Sequence, residues 1–163
     1  IIEKTPTHIQ KIERILKCFP NCKIIHIYRN PKAVISSMMN SSFYNFSSNI
    51  KEAVNVYIEN ISGILNYINE ENIFTVDYDN LHSNTSNVLK KILIFCNLPA
   101  SNEIVNKIVL ENKNISKVDV KGVFRKGKID SYLNELSIFK RFYIDLKLKK
   151  YIKIFERSCY NQN

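Results

Sequence analysis

The sequence predicts an α/β fold in three layers, with a parallel sheet between helices on both faces. Three observations carry that expectation. Two short runs rich in β-branched and aromatic residues, Lys23–Tyr28 and Ile73–Asp77, read as strands. The long stretch between them repeats apolar residues at helical spacing, and a helical crossover of that length suits parallel pairing. Glycine and proline are scarce, so most of the remaining chain is expected to be helical.

In chain order, Ile9, Ile12, Ile15, Leu16 and Phe19 recur at helical spacing, with Thr5 or Thr7 available as a cap. The apolar run Lys23-Ile24-Ile25-His26-Ile27 is bounded by Asn21 and Pro31 and reads as a buried strand. Pro31 favours the first position of a new helix, where its missing N–H is unpaired anyway. Val54, Tyr57, Ile58, Ile61, Ile64, Leu65 and Ile68 mark a longer helix from Ile50 to Asn69. After the second strand, Asn84 or Thr85 is placed to cap a helix through Val88, Leu89, Ile92 and Leu93. That helix stops before Pro99 and has Cys96 in its apolar run, where it reads as a core residue. A short helix is expected over Asn102–Glu111, then a polar linker without periodicity over Asn112–Val123. One or two helices with lysine-bearing faces fill Leu133–Tyr160.

Length and composition set bounds on function. The 163 residues make one domain with a sizeable core. No stretch approaches eighteen continuous apolar residues, so no membrane span is expected in this segment. Cys18 and Cys22 are separated by a Pro-Asn break, and no His or Cys pair completes a zinc set. The three histidines are scattered, and no metal site is expected. Asn45-Phe46-Ser47, Asn60-Ile61-Ser62 and Asn114-Ile115-Ser116 match a glycosylation triplet, but an asparagine-rich chain generates such matches by chance. The net charge of +9 is compatible with a basic module binding nucleic acid or another polyanion. No aromatic-basic repeat or recognised nucleic-acid motif accompanies it, so nucleic acid is not the expected partner.

The stretch richest in chemistry is Tyr28-Arg29-Asn30-Pro31-Lys32-Ala33-Val34-Ile35-Ser36-Ser37. The strand delivers Arg29 to its carboxyl end, and a helix opens beside it. In open α/β sheets that crevice is where ligands bind. An arginine fork, a helix N-terminus and the Ser37 hydroxyl can together address one phosphate.

Arginine, proline two residues on and serine eight residues on, all after a strand, resemble the 3′-phosphate-binding segment of the sulfotransferase family. Those enzymes take 3′-phosphoadenosine 5′-phosphosulfate (PAPS) as donor. Three further segments agree, in the family's order. Glu3-Lys4-Thr5-Pro6-Thr7-His8 is similar to the Glu-Lys-Thr-Pro stretch of carbohydrate sulfotransferases. The resemblance implies that Lys4 is catalytic, approaching the sulfuryl group and the bridging oxygen, where negative charge builds as the S–O bond breaks. Some members place a histidine base two residues after that lysine; this chain has Pro6 there, and His8 stands four residues after Lys4. Thr75-Val76-Asp77-Tyr78-Asp79-Asn80-Leu81 ends like the family's Tyr-Glu-Asp-Leu, which implies that Tyr78 lies near the adenine.

Lys121-Gly122-Val123-Phe124-Arg125-Lys126-Gly127-Lys128 looks like the family's Arg-Lys-Gly loop, which closes over the 3′-phosphate. Tyr132 stands about where the family often carries tryptophan. The physical logic of that loop is independent of the family. Two of the chain's three glycines bracket it, and glycine lets backbone N–H groups approach an anion. Arginine is rare here, five against nineteen lysines, yet it stands at two motif positions. Arg125 offers a planar fork and Lys126 a point charge.

The resemblance thus implies a P-loop-like sulfotransferase core, residues 1–163 being one sulfotransferase domain, its C-terminal part. The Arg-Ser-Gly-Thr-Thr type loop that holds the phosphosulfate is absent, as is a Walker-type loop. The first strand, the phosphosulfate loop and the general base are expected upstream of Ile1. The implied partners are the nucleotide donor and a hydroxyl-bearing acceptor, with no metal. A nucleotide kinase shares the fold, but the Arg29/Ser37 pair with the Arg-Lys-Gly loop disfavours it. Neither compartment nor acceptor is legible: the cytoplasm, or the Golgi lumen behind an upstream anchor, would suit.

Overall fold

The structure, a computed structural model, describes residues 2–41, 49–115 and 130–161. A turn of 3-10 helix, Pro6–Lys11, leads into α1 (Ile12–Cys18) and then β1 (Ile24–Tyr28). The crossover consists of α2 (Pro31–Met39) and α3 (Ile50–Leu65) and delivers the chain to β2 (Ile73–Asp77). The two strands pair in parallel, in register from Ile24 opposite Ile73 to Tyr28 opposite Asp77. Then follow α4 (Tyr78–Ser83), α5 (Thr85–Phe95), α6 (Asn102–Ile115), α7 (Tyr132–Glu135) and α8 (Ile138–Asn161).

Alternation along the strands decides which helices cover them. His26 and Tyr28 point to the face packed by α8, where the Phe155 ring stacks on Tyr28 at 5.1 Å between centroids and tilts over His26 at 5.3 Å. Ile35, Ile64, Ile144 and Leu148 complete this core and are fully buried. On the opposite face Phe74 packs against Phe95 of α5 at 5.2 Å, and the Lys23 ammonium lies 4.9 Å from the Phe95 centroid. There are therefore helices on both faces, as expected.

Several boundaries differ from the sequence reading, each for a local reason. The first helix opens as a 3-10 turn with Thr5 at its N-cap position, but the Thr5 hydroxyl donates to Glu3 and makes no side-chain cap bond. α3 stops at Leu65, and Ile68 is buried through a turn closed by the Tyr67 N–H on the Ile64 carbonyl. α4 was not expected: Asp77 caps it by accepting from the Asn80 N–H at 2.8 Å. Asn84 stands at the N-cap of α5, but its side chain accepts from the Asn87 side chain rather than from a backbone N–H, and the Thr85 hydroxyl donates back to the Leu81 carbonyl. Cys96 is half-buried at the end of α5 rather than in its core. There Asn97 adopts the left-handed conformation, φ 57°, and the Leu98 N–H closes on the Leu93 carbonyl. α6 continues to Ile115, through the first part of the expected linker, with the Asn112 amide bonded to the Ile108 carbonyl one turn back.

Candidate functional site

The site is built where β1 and β2 both end. Register places Arg29 and Tyr78 as the next residues after the paired Tyr28 and Asp77. Their side chains meet: the Arg29 guanidinium carbon lies 4.6 Å from the Tyr78 ring centroid, a cation–π contact. Two caps fix the geometry on either side. The Asn30 side chain accepts from the Lys32 N–H at 3.0 Å, starting α2 with Pro31 in its first turn. Asp77 starts α4, so Tyr78 is the first helical residue and its ring is turned toward Arg29. The arginine thus sits half-buried between two helix N-termini at the carboxyl ends of parallel strands.

Carboxylates shape the electrostatics beside it. Burial raises the Asp79 pKa, the negative charge of Asp77 adds to the rise, and Arg29 works against it. Asp79 Oδ1 is buried without a hydrogen bond among the described residues. A guanidinium restrained against an aromatic ring at strand ends is an arrangement that can receive a phosphate.

Ser37 lies eight residues beyond Arg29, near the C-terminal end of α2, and is exposed. Its neighbour Ser36 is the buried one: its hydroxyl donates to Glu135 of α7, which also accepts from the Asn40 amide at 3.2 Å. Lys32 ties the same helix to α8 through Asp145 at 2.7 Å and lies 5.8 Å from the Tyr132 ring centroid. The segment that follows the basic loop is therefore anchored on the helix that carries Ser37. Arg125, Lys126 and Gly127 lie outside the described residues.

Lys4 is exposed and precedes the 3-10 turn. That turn presses on α3 at Gly63, where an added Cβ would stand 2.1 Å from the Ile9 carbonyl oxygen and 2.7 Å from the Gln10 Cα. The Gln10 amide bonds to Asn60 at 2.9 Å across the same junction. His8 lies in the turn, exposed, with Nδ1 3.9 Å from the Glu3 carboxylate. Of the residues singled out from sequence, the structure brings Arg29 and Tyr78 into contact. Sequence reasoning missed Asn30, Asp77, Glu135 and Gly63. The first two carried a legible signal, an Asn before a helical proline and an Asp three residues before Asn80.

The fold and this corner define an α/β protein with an arginine against a tyrosine ring at the carboxyl ends of parallel strands, the place where such folds bind ligands. The sulfotransferase family model matches residues 1–102, and the chain belongs to the sulfotransferase family. Among solved structures it is similar to the mouse sulfotransferase SULT7A1 complexed with PAP, with a TM-score of 0.68 and 17% sequence identity. That match covers 83% of this chain and 59% of the mouse chain, so this chain spans under two thirds of that protein's length. No curated protein matches the chain.

Proposed function

We propose that this chain forms the nucleotide side of a sulfotransferase that moves a sulfuryl group from PAPS to an acceptor hydroxyl on a carbohydrate, protein or small molecule. The observation that carries the proposal is the Arg29–Tyr78 contact at the strand ends, in a chain of this family. That the mouse structure is a complex with PAP supports the choice of donor. In this reading Arg29, Ser37, Arg125, Lys126 and Gly127 address the 3′-phosphate, and Tyr78 lies beside the adenine. The acceptor oxygen attacks sulfur, the bond from sulfur to the 5′-phosphate oxygen breaks, and the acceptor's proton passes to a base. Lys4 is the cation that meets charge building on the leaving phosphate oxygen. Positioning and charge are most of what such a transfer needs.

Calorimetry with 3′,5′-bisphosphoadenosine and with 5′-AMP tests the assignment. Arg29→Ala should cost roughly 2–5 kcal/mol of bisphosphate binding, as for truncating one side of a desolvated charge pair. Ser37→Ala should cost about 0.5–2 kcal/mol, the worth of one hydrogen bond. Both losses should shrink sharply with 5′-AMP, which lacks the 3′-phosphate. Equal losses with the two nucleotides would remove Arg29 and Ser37 from the 3′-phosphate site.

A further inference from the structure

Helix α8 buries one line of side chains, Ile144, Leu148, Phe155 and Cys159. At 3.6 residues per turn the opposite line runs through Phe139, Phe142, Leu146, Lys149, Lys150 and Lys153, all exposed. Phe139 is 87% exposed, Phe142 68% and Leu146 63%. The outward line of a surface helix is ordinarily polar. Here its first half is aromatic and apolar and its second half is basic, with the exposed Glu156 at the margin of the basic half. Of the two acids of α8, Asp145 is committed to Lys32, and Glu156 is outnumbered at its position by Lys149, Lys150 and Lys153.

We propose that this face of α8 docks on an anionic lipid surface. The phenylalanines and Leu146 enter the boundary between headgroups and acyl chains, while the lysines extend their stems along it to reach lipid phosphates. The contact is superficial: no helix among the described residues is long and apolar enough to cross a membrane. Charge selects this occupant over a second copy of the chain. Parallel pairing of two α8 helices would set lysine against lysine, and antiparallel pairing through the aromatic half would leave the lysines uncovered. A bilayer bearing acidic headgroups meets both halves at once, and the chain's net charge of +9 favours the approach.

The chain contains no tryptophan, so Phe142→Trp creates a single fluorescent reporter on the face itself. With vesicles of phosphatidylserine in phosphatidylcholine its emission should shift to the blue, and the protein should sediment with the lipid. Phosphatidylcholine alone should do neither. Replacing Lys149, Lys150 and Lys153 by glutamine should weaken binding roughly a hundredfold, given the worth of each basic residue near such a surface. The same exchange at the exposed Lys11, Lys51 and Lys107 should change it only slightly. Three results would overturn the proposal. One is emission indifferent to anionic vesicles, and another is equal losses from the two lysine sets. The third is a dimer in sedimentation that Phe139→Ser abolishes, with no lipid binding.

Discussion

β1 and β2 carry nearly the same sequence signal and end in different surroundings. In β2, Ile73, Thr75 and Val76 are all buried, because α8 covers one face and α5 the other. In β1 only His26 and Tyr28 are buried, while Ile25 and Ile27, pointing to the α5 side, remain 41% and 56% exposed. Both strands hold β-branched residues at alternate positions, so local pattern identifies each as a strand. What it leaves open is which faces a helix will cross. α5 is held over β2 by Phe74 and Phe95 and leaves the same face of β1 open. The Arg29–Tyr78 corner depends on the covered face, since Tyr28 leads directly to Arg29.

The contrast breaks hardest at Phe155. Its ring is fully buried against Tyr28 and His26, so Phe155→Ala removes the contact that seats α8 on the sheet. Urea denaturation should show a loss of about 3–5 kcal/mol, the usual cost of opening such a cavity. A loss below about 1 kcal/mol would place the anchor of this face elsewhere.

The next effect comes from His26 and depends on pH. Burial lowers its pKa to about 4, and its Nδ1 has no hydrogen bond among the described residues. The unfolded imidazole takes up a proton near its ordinary value of about 6.5, whereas the folded one stays neutral until much lower pH. Between those values the unfolded state binds more protons, so stability falls as pH falls. From about pH 6.5 down to 4 the loss should approach 3 kcal/mol, and above that window His26 should contribute no slope. His26→Leu should flatten the curve across the window. An unchanged slope in that variant would assign the pH dependence to other groups.

How much of this was legible in the sequence differs between strands and helix ends. Ile24–Tyr28 and Ile73–Asp77 announced themselves through β-branched runs, and Pro31 marked the start of α2, because those signals are local. The Arg29–Tyr78 contact follows from register once both strands are parallel, which the crossover made the favoured pairing. α4 was hidden because Tyr78–Ser83 is only six residues long and carries no helical period of its own; its cap lies inside the strand. The roles of Ser36 and Glu135 were hidden for another reason. They are ninety-nine residues apart, and nothing local pairs them. Gly63 was unexplained by helix propensity, which disfavours glycine there, until a backbone carbonyl was found where its Cβ would be.

Gly63 also shows how far the covered side extends. α3 belongs to the same core as Tyr28 and Phe155, and the 3-10 turn bearing the Lys4 segment rests on it at Gly63. Gly63→Ala forces backbone against Cβ, and overpacking of this kind costs about 1–3 kcal/mol. Hydrogen exchange should rise in residues 6–11 far more than in β1 or β2. A uniform rise through the strands would mean that the turn and the sheet are one cooperative unit, and the layered reading would be lost.

The smallest stability effect is expected on the open face, and it is the sharpest control on the whole contrast. Ile27 sits in the same strand as His26 and Tyr28, with the same backbone pairing to β2. Only its direction differs. Ile27→Ser gives up little buried area, so the change in stability should stay within about 0.5 kcal/mol, as for surface positions generally. Light scattering at high protein concentration should fall, because an exposed isoleucine on an edge strand favours association between chains. If instead Ile27→Ser cost as much as Phe155→Ala, the face drawn as open would be packed in solution. The exposure of Ile25 and Ile27 would then misdescribe the chain.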